Sequence, residues 1–210
     1  MRARRLITLA VASAAMLTTA VAFHQIDLLG ERGLRPIDAA ANFLPQTVAG
    51  LAATLVMGIR SDRMAPRLLL ASVTSLLALS LVMAMWVAPG WSAIAFGAMI
   101  GFASGGIRAL EATTLPRTFG LAHLGAIRGV VMAVAVGASA FGPILFAVAR
   151  ETLGSYGPAL LGAALLPLAL AVAAIVVSPP RPFDVTSSDA ARDPSPPAPR
   201  LTPRPTTLDA

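Results

Sequence analysis

The chain has no cysteine. Disulfides, thiolate metal sites and thiol redox chemistry are therefore excluded together. It also has no lysine, and all 16 basic residues are arginine. Charge is scarce at 12% of residues, and aromatics make up 5%, with one tyrosine among them. Nucleic-acid binding needs basic residues interleaved with stacking aromatics, so no nucleic-acid partner is expected. Two histidines without any cysteine argue against a metal site, and no cofactor is expected.

Apolar side chains fill the space those absences leave. They make up 56% of the chain, and the mean hydropathy of +0.76 is that of a membrane protein. A helix needs about 20 mostly apolar residues to cross the hydrocarbon core. Six stretches reach that length: 6–28, 37–59, 68–87, 91–114, 126–148 and 157–177. Gly, Pro and charge separate them, as in "GERGLRP", "SDRMAPR" and "RETLGSYGP". The expected fold is an all-α integral membrane domain of six transmembrane helices over 6–177, between a short N-terminus (1–5) and a tail (178–210). The first run follows "MRARR", and "AVA" at 20–22 resembles a small-residue cleavage site; its length and the five runs behind it favour a retained span. The tail holds nine of the 17 prolines and few apolar residues, so it is expected to be disordered with polyproline character.

Arginine placement sets the orientation, because cytoplasmic loops collect basic residues. With the N-terminus inside, the inner segments hold Arg2, Arg4, Arg5, Arg60, Arg63, Arg67, Arg117 and Arg128 together with the four tail arginines. The outer loops hold Arg32, Arg35 and Arg150. Both termini are expected in the cytoplasm of a bacterial cell, with the helices in the inner membrane among its lipids.

Helices in lipid approach closely through small residues. Gly97, Gly101 and Gly105 recur every fourth residue on the fourth helix, and Gly129, Ala133 and Gly137 do so on the fifth. Both sets are expected at packed faces. Pro45, Pro143 and Pro167 fall within apolar runs and favour kinks.

A charge inside hydrocarbon is costly and marks a functional candidate. Arg108 and Glu111 lie one turn apart, so they share a face and are placed to pair. A guanidinium there suits bidentate binding of a small organic anion, and a buried Glu111 suits a coupling proton. Snorkelling of Arg108 to the interface, neutralised by Glu111, is the plain alternative. Asn42 and Gln46 are weaker candidates, placed to line a cavity or to tie helices together, and His24 is another, near the outer end of the first helix where an interfacial position is expected.

The turn "GIRSDRMAPR" at 58–67 resembles the G-x-x-x-D-R loop of the major facilitator superfamily, on the cytoplasmic side between the second and third helices of each six-helix half. Ala65 stands where that signature usually has a second glycine, as in the C-terminal copy. "FHQIDLLGERGL" at 23–34 and "LPRTFGLAHLGAIRGVVMAVAVGASAFGPILFAVARETLGSY" at 115–156 resemble other parts of that half. The flavour is that of the monocarboxylate and oxalate/formate antiporter branches. The chain lacks the intramembrane Asp-Arg pair of the former in its second helix and the fifth-helix Lys of the latter.

The resemblance implies a secondary transporter, or its C-terminal half, moving a small-molecule substrate such as a monocarboxylate by alternating access. Gly58, Asp62 and Arg63 would form the loop that latches the two halves. The second six-helix half would be a separate chain, a second copy, or a missing part of a longer polypeptide. A truncated or non-transporting assembly subunit is the alternative. An intramembrane serine protease is not expected, since no Gly-x-Ser-x-Gly nucleophile is present.

Overall fold

The computed structural model describes residues 2–61, 63–119 and 124–176. The expected tail and the expected latch carboxylate Asp62 lie outside these residues. The described chain is helical, with no strand: α1 (Arg2–Gly30), α2 (Pro36–Ala41), α3 (Phe43–Ser61), α4 (Pro66–Met83), α5 (Trp91–Phe119), α6 (Leu124–Leu153) and α7 (Gly157–Val176). Six helical segments are long and apolar enough to cross a membrane, α2 and α3 together forming the second.

Local chemistry sets the ends. α2 and α4 each begin with proline in the first helical turn, where its missing N–H costs nothing. The second segment breaks at Asn42 because Pro45 cannot donate to the carbonyl four residues back, that of Ala41. Pro45 therefore sits in the first turn of α3, and the expected kink becomes a break. α6 outruns the apolar stretch expected at 126–148, through Arg150 to Leu153, and stops where Gly154 takes φ +72°. Gly33 and Gly90 take positive φ in the other two turns at that end. The third helix is shorter than expected, since apolar Ala84–Val87 belongs to a turn.

Consecutive spans alternate in direction, giving a basic end (Arg5, Arg60, Arg63, Arg67 and Arg128) and an opposite end. The main packed pairs are α3 with α5, α1 with α6, and α4 with α7; α4 also packs on α5, and α1 on α7 and α5. The packing is symmetric. Exchanging the first three spans for the last three turns the α1–α6 contact into α5–α3, turns α4–α5 into α7–α1, and returns α4–α7 to itself. Three crossings per repeat make the two repeats opposite in orientation. α1 and α5 form the middle of the bundle, and α3 and α6 flank it as equivalent partners. Those two flanking spans are also the least buried, each at 22% of its apolar window against 33–61% for the others.

The α3–α5 seam shows why three glycines are needed. A Cβ on Gly97 would strike the Asn42 side chain, one on Gly101 the backbone of Gln46, and one on Gly105 the backbone of Gly50. The two backbones touch, which only small residues permit. Gly129 and Gly137 behave differently. Added Cβ atoms there meet open space, so the expected packing face on α6 is unused within the described chain. α6 instead packs on α1 at Gly142, where a Cβ would strike the Met16 carbonyl.

Candidate functional site

Two polar centres and a chain of amides lie among the described residues of this apolar bundle. The first is a cavity of about 270 Å³ between α1, α5 and α6, bordered by Thr18, Ser104, Arg108, Glu111 and Ser139 among apolar neighbours. The one-turn spacing of Arg108 and Glu111 puts both on this cavity, but they do not pair. Arg108 is exposed and its guanidinium reaches towards α3, about 3.6 Å from where a Cβ on Gly50 would stand. Glu111 is 4% exposed, and its Oε1 is buried without a hydrogen-bond partner. The opposing charge it feels is Arg128, across on α6. The expected ion pair fails because the close α3–α5 seam draws Arg108 to one side of α5 while Glu111 faces α1 and α6. An exposed cation and an unsatisfied buried carboxylate therefore share one cavity.

Asn42 and Gln46 lie away from it. Asn42 Nδ2 donates to the Ala93 carbonyl at 2.5 Å, and Gln46 Nε2 donates to Gln25 Oε1 at 2.6 Å and Asn42 Oδ1 at 3.3 Å. Gln25 in turn donates to the Ala39 carbonyl at 3.1 Å. This chain of amides ties α1, α2, α3 and α5 together. The sequence signal for Gln25 is an amide inside an apolar run.

The second centre lies at the opposite end and gathers around Tyr156, a residue 2% exposed in the turn before α7. Its Oη lies 2.8 Å from Asp27 Oδ2 and 3.0 Å from His24 Nδ1. His24 Nε2 donates to the Pro143 carbonyl at 3.0 Å, so this histidine is tied to α6 rather than sitting free at an interface. Arg150 Nε contacts Glu31 Oε1 at 2.8 Å and Asp27 Oδ2 at 3.9 Å, and its guanidinium lies 5.7 Å from the centre of the Tyr156 ring. The Tyr156 N–H donates to Glu31 Oε2 at 3.3 Å. Burial, then the hydrogen bond to Asp27, pushes the Tyr156 phenol up to about 12. The network joins the end of α1 to the end of α6.

At the basic end, Gly58 meets nothing where a Cβ would stand, so it allows no close helix approach within the described chain. Ser61 Oγ donates to the Gly58 carbonyl at 2.7 Å, and the Arg63 N–H donates to the Arg60 carbonyl at 3.0 Å. Arg63 is exposed. No cluster of metal-ligating side chains occurs among the described residues. Comparison with protein-family models gives no match, and comparison with curated proteins gives none either. What stands is a helical chain with six segments fit to cross a membrane.

Proposed function

We propose that the chain is a six-helix half of a secondary transporter of the major facilitator type, carrying a small organic anion in the cavity between α1, α5 and α6. The observation that carries this reading is the inverted pairing of the first and last three spans around a cavity holding Arg108 and Glu111. Inverted repeats with a site at their interface are a recurrent basis of alternating access. Arg108 supplies the charge and fork geometry for a carboxylate, and Glu111 is an unsatisfied acceptor beside it. A monocarboxylate-sized anion suits both the cavity and the exposed Arg108 guanidinium on its wall.

In this reading the protein lies in the cytoplasmic membrane with both termini inside, following the arginine bias. The turn at 58–67 is the cytoplasmic loop that meets the second half. α3 and α6 present that half with their exposed faces, including Gly129, Ala133 and Gly137. The open small-residue face on α6 equally suits an assembly subunit that transports nothing, which is the second reading.

Uptake of labelled monocarboxylates into vesicles from cells expressing the chain separates the two. The carrier reading expects uptake above control vesicles that Arg108→Ala abolishes. Uptake indifferent to both Arg108→Ala and Glu111→Ala would overturn it.

A further inference from the structure

The polar centre at the end opposite the basic loops has a proton count that does not close. Pro143 offers a carbonyl, which only accepts, so His24 Nε2 carries a hydrogen. In a neutral imidazole Nδ1 is then a bare acceptor. Asp27 Oδ2, as a carboxylate oxygen, is also an acceptor. Between them stands Tyr156 Oη, within hydrogen-bond distance of both. The phenol keeps its proton, being pushed up to about 12. It has one hydrogen to donate and two acceptors that need one. The cost of leaving such a contact unmade falls on half-buried His24, since Asp27 is open to solvent.

One additional proton satisfies the whole chain, and it can do so in two ways. Held by His24, it lets Nδ1–H donate to Tyr156 Oη, while Oη–H donates to Asp27. Held by Asp27, it lets the carboxyl O–H donate to Tyr156 Oη, while Oη–H donates to His24 Nδ1. Interconversion moves two hydrogens in the same direction: the Asp27 O–H bond breaks as a bond to Tyr156 Oη forms, and the phenol's original O–H breaks as Nδ1–H forms. Nothing is oxidised, and the net charge is unchanged.

We infer that Asp27, Tyr156 and His24 form a proton-binding relay, in which an exposed carboxylate passes a proton through a buried phenol to an imidazole inside the bundle. The burial gradient fits. The Asp27 side chain is 65% exposed, Tyr156 is 2% exposed, and His24 is half-buried, stacked 6.3 Å from the buried ring of Phe146. The cavity begins within reach along both helices: Thr19 lies five residues before His24, about 8 Å of helix rise, and Ser139 lies one turn before Pro143. Pro143 has no N–H, so the Ser139 carbonyl lacks its usual helical donor and stands as a further acceptor on that path.

The charged groups around the relay come from each element that meets there. α1 supplies Asp27 and Glu31, α6 supplies Arg150, and Arg32 follows α1 in the turn beside Gly157. Arg150 is anchored to Glu31 and reaches Asp27 at 3.9 Å, so it holds the carboxylate in place without saturating it. The relay does not depend on the transport reading, because its readout is the proton itself.

The chain's two histidines make the test direct. In a His123→Gln background, nitrogen NMR of labelled histidine reads His24 alone, and carbon NMR of labelled aspartate reads Asp27. The relay expects each step of a pH titration to appear in both the His24 ring and the Asp27 carboxyl signals, because the steps of a coupled pair belong to the pair. His24 titrating while Asp27 stays silent would overturn it. Asp27→Asn should weaken the binding of the second proton to His24 about tenfold. In a Tyr156→Phe background, which keeps the ring and removes the link, the same change should have less than about a twofold effect. An equal effect of Asp27→Asn in both backgrounds would reduce the relay to a charge acting through space and refute it.

Discussion

Two glycine series with the same spacing should respond oppositely to one added methyl group. Gly→Ala in a helix ordinarily gains about 0.5–1 kcal/mol, because alanine loses less backbone freedom on ordering. At Gly137 the new Cβ meets open space, so that gain should be realised in full. At Gly105 it would fall on the backbone of Gly50, and a backbone atom cannot swing aside as a side chain does. Forcing the two helices apart is overpacking, which costs about 1–3 kcal/mol and outweighs the helical gain. Gly105→Ala should therefore destabilise the bundle by about 1–2 kcal/mol net, and Gly137→Ala should stabilise it slightly. Equilibrium unfolding in detergent micelles, with helicity as the signal, measures both. Equal shifts, or a stabilising Gly105→Ala, would refute the backbone contact between α3 and α5.

Further outcomes follow from the Tyr156 centre and the amide chain. The single tyrosine makes alkaline tyrosinate absorbance a direct readout of Tyr156. Its midpoint should stand at about 12 in the folded protein and fall to about 10 on unfolding. Because the folded value is the higher one, Tyr156 contributes stability that is complete below the unfolded midpoint and lost as pH rises towards the folded one. A folded midpoint at the ordinary phenol value would contradict the buried bond to Asp27. Asn42→Ala should destabilise by about 0.6–2 kcal/mol, the range for buried hydrogen bonds between helices in lipid, and leave anion uptake intact; lost uptake in a stable variant would place Asn42 in the site instead. Arg150→Ala should loosen the ends of α1 and α6, read as faster amide hydrogen exchange at residues 24–31, with the basic end unchanged. Protection there that matches wild type would count against the Arg150–Glu31 tie.

Much of this architecture is legible in the sequence, and the failures have physical causes. Six apolar runs report six spans because only length and hydropathy are needed. Helix ends are harder. α6 runs past its apolar stretch because arginine and glutamate are good helix formers, and the stop comes from the backbone of Gly154. Glycine spacing reveals grooves but not their partners. Gly97, Gly101 and Gly105 close on α3, while Gly129 and Gly137 with the same period face outward. Spacing puts Arg108 and Glu111 on one cavity but not in contact, since the side chains follow different neighbours. The Tyr156 centre joins residues 129 positions apart, which no local pattern records. Its one local signal is a lone tyrosine in a turn, since a buried phenol requires a partner.

The central claim is that the cavity binds a small organic anion through Arg108. The chain has no cysteine, so Ser104→Cys places one thiol on the cavity wall without any background. The rate of its maleimide labelling in native membranes, with and without a panel of small monocarboxylates, is the measurement. The account predicts that at least one carboxylate slows labelling and that Arg108→Ala removes the protection. Labelling that no carboxylate slows, or protection that persists without Arg108, would contradict it.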